Sequence, residues 1–395
     1  MIDFSLTDEQ RMLREVARSF AEKEIRPIAA EVDRNPDPAN SFPWEVIKKG
    51  LKLGFGKLLI PEEYGGQGAS LLDYAIFAEE LGWGDAGIAS TFLTSIFLTR
   101  LLNFATERLK EKWLRATCED TSGTFLMAGT YTEPSGGSEI LCPLPDPSLG
   151  VRTTAVREGS GYVINGTKCF AENAGVAKLY FVLTRTDKTK PNFEGLSIFL
   201  VPADTEGLTL GTVEDKMGHR ACRNQEVIFE DVWVREDHLI GEEGQGGQVI
   251  EETFRGEAVG TGGMTVGIAR AAYEEALKYA KERVIWGQPI KRYESTADRL
   301  VDMRMKIEAS RALIWKVAWA VEHPDMAEGL DRLHQIAKVF PADLIRQITI
   351  DAMQILGGYG YMKEFPIEKY VRDAMVLPIV DTTNEVLKIF LAEEL

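Results

Sequence analysis

Residues 354–385 read QILGGYGYMKEFPIEKYVRDAMVLPIVDTTNE, and how this stretch is parsed decides the fold. It opens as the end of a long amphipathic helix. The adjacent Gly357 and Gly358 stop that helix, because glycine takes the left-handed backbone of a helix C-terminus without steric cost. With no Cβ at Gly357, Gly358 or Gly360, a diphosphate or sugar can lie against main-chain N–H groups. Glu364, Pro366, Lys369, Arg372 and Asp373 follow at helical spacing, and the apolar run Met375–Val380 delivers Asp381 to the start of a last helix. A purely structural parsing stays open: the glycine pair is a cap, and Asp381-Thr382-Thr383-Asn384-Glu385 is an N-cap with a capping box from Thr382 to Glu385.

Working outward, apolar periodicity predicts long helices around residues 248–284, 293–322 and 328–356, with Leu300, Met303, Ile307 and Ile314 on one face as bundle core. Upstream the period changes. Tyr162-Val163-Ile164 runs into Asn165-Gly166, a hairpin signal, and Leu179–Thr184, Leu196–Val201 and Glu226–Val234 are rich in β-branched and aromatic residues. At the start, Thr7 and Gln10 form a capping box, and Leu13, Val16, Ala17 and Phe20 recur at helical spacing until Pro27 bends or ends the run. Beyond the Pro-rich loop Asn35–Pro43, helices continue to about Asp120, broken at PEEYGGQG (61–68). The expected division is a helical domain over 1–120, a β domain over 121–236 and a helical bundle domain over 237–395.

Bulk composition excludes several function classes. The chain has 395 residues, 45% hydrophobic, enough for a large core. Its net charge of -16 argues against a nucleic-acid partner, which needs clustered basic surface. Cys118, Cys142, Cys169 and Cys222 form no CxxC, and the four histidines are too scattered for a metal site, so neither a disulfide framework nor a metal centre is expected. No GxGxxG follows a strand, which argues against a Rossmann domain. The opening MIDFSLTDEQRML lacks the basic and apolar regions of a signal peptide, and no uninterrupted apolar window reaches transmembrane length, so a cytoplasmic location is expected.

Gln354, Gly357, Gly358, Gly360, Tyr361, Glu364, Lys369 and Asp373 stand at the spacing of the C-terminal signature of the acyl-CoA dehydrogenases, which this chain resembles over nearly its whole length. The order helices, strands, helical bundle resembles that family too. The resemblance implies an α+β, mainly α fold: an N-terminal helical domain, a central β-barrel-like domain and a C-terminal four-helix bundle, assembled as a homotetramer with FAD between domains and neighbouring subunits.

Further strings carry implied roles. TEPSGGSE (132–139) is similar to the family's TEPxAGSD loop, which implies flavin and CoA-arm contacts for Tyr131, Thr132, Gly137 and Ser138, with Glu139 where Asp is usual. KCFAEN (168–173) aligns with KxWITN. Phe170 then replaces the tryptophan that packs on the flavin, and Glu172 replaces a neutral donor near flavin N5. A carboxylate there would disfavour reduced, anionic flavin, so Glu172 is protonated, turned away, or tunes the potential. ERVIWGQPI (282–290) resembles ERxxFGxPI, implying that Arg283 and Trp286 reach the FAD of an adjacent subunit. Gln354, Gly357, Gly358, Thr383 and Glu385 are the remaining implied FAD contacts.

The implied reaction removes the proton beside a thioester carbonyl and passes hydride from the β carbon to flavin N5. It needs a carboxylate buried against the substrate, where desolvation raises basicity. The family's EGT loop reads Asp381-Thr382-Thr383 here, and a second family solution places a Glu at the position of Glu257. Asp381 ranks first and Glu257 second. The Arg that the family often has directly after that position is Ala258 here, and the nearby Arg255 is the expected substrate-side arginine. These departures point to an alicyclic, aryl-substituted or branched acyl-CoA, with an electron-transfer flavoprotein as the implied acceptor. An oxidase-like enzyme and a flavin-binding protein with a drifted site are the alternatives.

Overall fold

A computed structural model describes residues 5–142, 144–327 and 332–393. Helix α1 (Asp8–Phe20) starts at the predicted capping box: Thr7 Oγ1 accepts from Gln10 N and Gln10 Oε1 accepts from Thr7 N. Pro27 does not break the run. A single π turn, Ala21–Ile25, widens the helix, and α2 (Arg26–Arg34) begins with the proline in its first turn, where a missing N–H is harmless. Helices α3 (Trp44–Lys52), α4 (Leu71–Gly84), α5 (Ala86–Leu98) and α6 (Glu107–Glu119) complete this part. The helical stretch Ala86–Phe104 is apolar and long enough to cross a membrane, yet 78% of that window is buried inside the fold.

Eight strands form one sheet: β1 (Met127–Thr130), β2 (Thr154–Glu158), β3 (Gly161–Glu172), β4 (Leu179–Arg185), β5 (Leu196–Pro202), β6 (Leu208–Val213), β7 (Asn224–Arg235) and β8 (Leu239–Ile240). Their order is β6-β7-β3-β2-β4-β5-β8, with β1 parallel beside β4. One expectation fails. Asn165-Gly166 is not a hairpin turn but a bulge inside β3, where the register against β7 slips between Ile164 and Gly166. Gly166 has φ 151°, and a Cβ there would stand 2.5 Å from Thr153 Oγ1, so the glycine serves close approach rather than chain reversal. Asn165 exchanges two hydrogen bonds with Asp231 across the bulge.

Helix α7 (Gly246–Glu282) returns through the molecule, followed by the short hairpin β9 (Val284–Ile285) and β10 (Gln288–Pro289), then α8 (Glu294–Glu322), α9 (Leu333–Leu356), α10 (Ile367–Ala374) and α11 (Asn384–Ala392). The expected helix start at 328 lies outside the described residues. Leu300, Met303, Ile307 and Ile314 are buried in the core that joins the first helices to this bundle. Gly357 ends α9 with φ 60° and ψ -133°, a corner that only glycine takes readily and not the left-handed helical turn expected. Thr383, not Thr382, caps α11, its hydroxyl accepting from Glu385 N at 3.2 Å. All four cysteines are free; Cys169 and Cys222 are buried, and Cys118 and Cys142 are half-buried.

What positions α7 is its contact with α4. A Cβ at Gly82 would lie 2.4 Å from Met264 O, and one at Gly267 would lie 2.1 Å from Glu79 O, so the two backbones touch where any side chain would part them. Buried charges then fix the register. Arg270 Nη1 donates to Glu79 Oε1 at 2.6 Å, and Arg311 grips both Glu79 oxygens at 2.9 Å. Lys369 lies between Asp85 and Asp373, 2.6 Å from each, while Asp373 also accepts from His219 N at 2.8 Å.

Gly267→Ala is expected to lower stability by about 1–3 kcal/mol, the range for overpacking a tight contact. Gly358→Ala is expected to change it by less than about 0.5 kcal/mol, since a Cβ there meets nothing within 4 Å. Thermal unfolding of both variants checks the contrast.

Candidate active site

Asp381 and Thr382 are two of the few non-glycine residues in the left-handed region, with φ of 51° and 71°. Such backbone costs about 1–3 kcal/mol per residue and persists only where its surroundings hold it. Here the holder is Lys338 of α9, 3% exposed, whose Nζ donates to Thr382 O at 2.7 Å and Asn384 Oδ1 at 2.8 Å. Asn384 is itself fixed: its N–H donates to Pro378 O and its Nδ2 to Asp343 Oδ1, both at 2.9 Å. Burial pulls the Lys338 ammonium down to about 8, with the Asp381 charge opposing that shift.

The loop carries Asp381 to the second candidate base. Thr261 Oγ1 lies 2.7 Å from Asp381 Oδ2 and 3.1 Å from Glu257 Oε1. Glu257 is 8% exposed, and its Oε2 has no hydrogen-bond partner among the described residues. Burial, then the neighbouring Asp381 charge, pushes the Glu257 carboxyl well above the ordinary range. Both carboxyl groups line a cavity of about 240 Å³ whose apolar wall includes Leu141, Ile250, Phe254 and Phe390. Tyr131 packs edge-on against Phe254, and its buried hydroxyl is unpartnered. Burial and then the Glu257 and Asp381 charges push that phenol upward.

The two implied flavin strings are tied together by a buried ion pair. Lys168 and Glu133 are both buried and pair at 2.9 Å, while Lys168 Nζ also donates to Tyr131 O at 3.1 Å and Cys169 N donates to Thr132 O at 2.9 Å. Burial, partly offset by Glu133, lowers the Lys168 ammonium to about 8. Gly137 stands against Thr132: a Cβ there would lie 3.2 Å from its Oγ1. Ser138 opens the 3-10 turn Ser138–Leu141. Glu139 accepts from Gly150 N at 2.8 Å, so its extra methylene reaches a backbone donor. Phe170 presents an apolar ring, 59% exposed, from a backbone at φ 55°. Glu172 is half-buried and has a partner: the Thr94 hydroxyl donates to it, and burial raises its carboxyl above the usual range, with Asp381 adding to the shift.

A second cleft, about 840 Å³, collects Arg283, Trp286, Gln354, Gly357 and Gly358 along one wall system. Trp286 is 91% exposed, and a Cβ on Gly357 or Gly358 would meet no atom within 4 Å. Arg255, Thr383 and Glu385 line neither cleft. Arg255 stands 3.8 Å from Glu252, and Thr383 and Glu385 bond to each other at the cap of α11. Sequence reading missed Thr261, Lys338 and Thr94. Thr261 was findable, being four residues after Glu257 on one helix and therefore on the same face; the other two come from distant segments.

An acid whose folded pKa lies above its unfolded value stabilises the fold fully only below the unfolded value, here 4.5, and that contribution is lost as pH rises toward the folded value. Glu257→Gln is therefore expected to become progressively more stable than the wild type as pH rises over the range above about 4.5. Urea unfolding across that range tests the trend.

Family models for the acyl-CoA dehydrogenase N-terminal, middle and C-terminal domains match residues 7–121, 128–232 and 244–395. The chain is 35% identical to the short-chain specific acyl-CoA dehydrogenase of Clostridium acetobutylicum, covering 99% of each chain. It is also 35% identical to the 3-(aryl)acrylate reductase of Clostridium sporogenes, covering 98% of this chain and 99% of that one. The solved structure of butyryl-CoA dehydrogenase from Megasphaera elsdenii superposes with a TM-score of 0.90 at 34% identity, over 100% of this chain and 99% of that one. Three domain matches in order, and full-length relatives at this identity, make the chain an enzyme of the acyl-CoA dehydrogenase family, whose members are FAD-dependent oxidoreductases.

Proposed function

We propose that the chain catalyses α,β-dehydrogenation of a compact acyl-CoA thioester, with Asp381 as the base that takes the α proton. The observation that carries this reading is the convergence of Asp381 and Glu257 on Thr261 at the wall of a largely apolar cavity. Asp381 is aimed by a strained loop pinned through Lys338, so its carboxylate need not reorganise before it receives a proton. The volume and the ring-bearing side chains Phe193, Phe254 and Phe390 suit a short, branched, alicyclic or aryl-substituted acyl group.

FAD fits the residues present. Arg283 suits a diphosphate, the exposed Trp286 an adenine, and the open backbone at Gly357 and Gly358 brings N–H groups within reach of phosphate or sugar. Phe170 offers an apolar face to the isoalloxazine ring, and Tyr131, Thr132, Gly137, Ser138 and Glu172 lie on the strings that would border it. When bound, the flavin supplies the two-electron acceptor for the β hydrogen, removed as hydride. An exposed tryptophan on a hairpin at this cleft is the kind of surface that a second subunit covers, which supports a homotetramer sharing its cofactor sites. An electron-transfer flavoprotein is the proposed acceptor of the electrons.

Glu257 as the base is the second reading, favoured by its unpartnered Oε2 at the same cavity. Asp381→Asn is expected to slow α-proton exchange of a bound acyl-CoA analogue by about 10²–10⁴-fold, and Glu257→Gln by less. Full exchange in Asp381→Asn with loss in Glu257→Gln would transfer the role. Anaerobic bleaching of the yellow protein by a panel of CoA thioesters tests the activity itself. Colour that no thioester bleaches would instead favour a binding protein, and rapid peroxide formation in air an oxidase.

A further inference from the structure

Thr261 departs from a habit that five other α-helical threonines share. Thr91, Thr117, Thr253, Thr265 and Thr349 each send the hydroxyl back to the carbonyl four residues earlier, the usual way to satisfy a buried hydroxyl in a helix. Thr261 turns its hydroxyl away from that carbonyl and places it between two carboxyl groups. A hydroxyl has one hydrogen to give and lone pairs to receive. If both carboxyls were ionised, only one contact would be a hydrogen bond and the other would set two oxygen lone pairs against each other. Both are bonds when one carboxyl is protonated and donates to Thr261.

The two contacts are unequal in the direction that assigns the proton. The 2.7 Å distance to Asp381 falls in the range of a hydroxyl donating to a charged oxygen, and the 3.1 Å distance to Glu257 does not. Glu257 is the more buried of the two and has no cation within salt-bridge distance among the described residues, whereas the Asp381 loop is held by the Lys338 ammonium. The other charged or titratable groups facing the pair are Glu172, whose charge opposes ionisation of Glu257, Arg100, which favours it, and the phenols of Tyr74 and Tyr131.

We propose that Thr261 is a positioning residue that decides which carboxyl acts as base: it donates its one proton to ionised Asp381 and accepts the proton of neutral Glu257. The inference rests on the dehydrogenation reading above. In this arrangement Glu257 is not a second base in waiting. It is the neutral acid that orients the hydroxyl, and through it the lone pair that Asp381 turns to the substrate.

The test uses the full-length flavin-loaded protein and has two readouts. Infrared spectroscopy at pH 7 should show a protonated-carboxylic-acid band that disappears in Glu257→Gln, persists in Asp381→Asn, and shifts in Thr261→Val. With an acyl-CoA that bleaches the wild type, Thr261→Val should lower kcat about 10–100-fold with little change in KM. It should also move the acid limb of the pH profile of kcat/KM upward by about one pH unit. Thr261→Ser should restore both. A band that disappears in Asp381→Asn instead, or a Thr261→Val enzyme with the wild-type pH profile and kcat, would overturn the proposal. Should no acyl-CoA bleach the wild type, the dehydrogenation reading fails while the infrared assignment of the shared proton still stands or falls on its own bands.

Discussion

Backbone contact between α4 and α7 is the constraint on which the rest of the molecule depends. Gly82 and Gly267 let the two helices approach until carbonyl oxygens occupy the space where side chains would otherwise begin. That proximity brings Glu79 and Glu80 of one helix against Arg270 of the other. It also leaves Glu257 and Thr261 of α7 buried, with Glu257 at the cavity wall. A buried carboxyl group is costly unless something compensates it. Here the compensation is a hydroxyl one turn further along the same helix, not a cation.

The candidate site is assembled from segments far apart in the chain, each set by a different force. α7 is placed by its backbone contact with α4, the Asp381 loop by one buried ammonium, and the strings 131–139 and 168–173 by the Lys168–Glu133 pair. That pair gives the conserved-looking shape of both strings a structural cause that is independent of any ligand: Glu133 accepts from Arg152 N and Thr153 N as well as from Lys168, so one carboxylate gathers a loop, a strand edge and a lysine.

Much of this architecture was legible in the residues. Helical periodicity placed α7, α8 and α9 because their buried faces are continuous, and the β-branched runs placed β4, β5 and β7. Local signals were misread where tertiary contact overrode them: Asn165-Gly166 has the composition of a turn, but Thr153 and Asp231 make it a bulge. The N-cap of α11 moved by one residue because Lys338 holds the Thr382 carbonyl in a left-handed turn. The second cleft gathers five residues singled out by resemblance, whereas Arg255, Thr383 and Glu385 face other partners. Lys338 and Thr94 had no readable signal, since their roles exist only once distant helices meet.

The left-handed Thr382 sets two demands at odds. Replacing it with glycine or asparagine would relax the backbone, since both tolerate that geometry, and a selection for heat resistance would be drawn to the position. The same relaxation would let the neighbouring carboxylate wander over several orientations. On the proposed reading of Asp381 as the base, the tension in this loop is a means of aim, and the molecule is held below its attainable ruggedness by the need to point one oxygen in one direction.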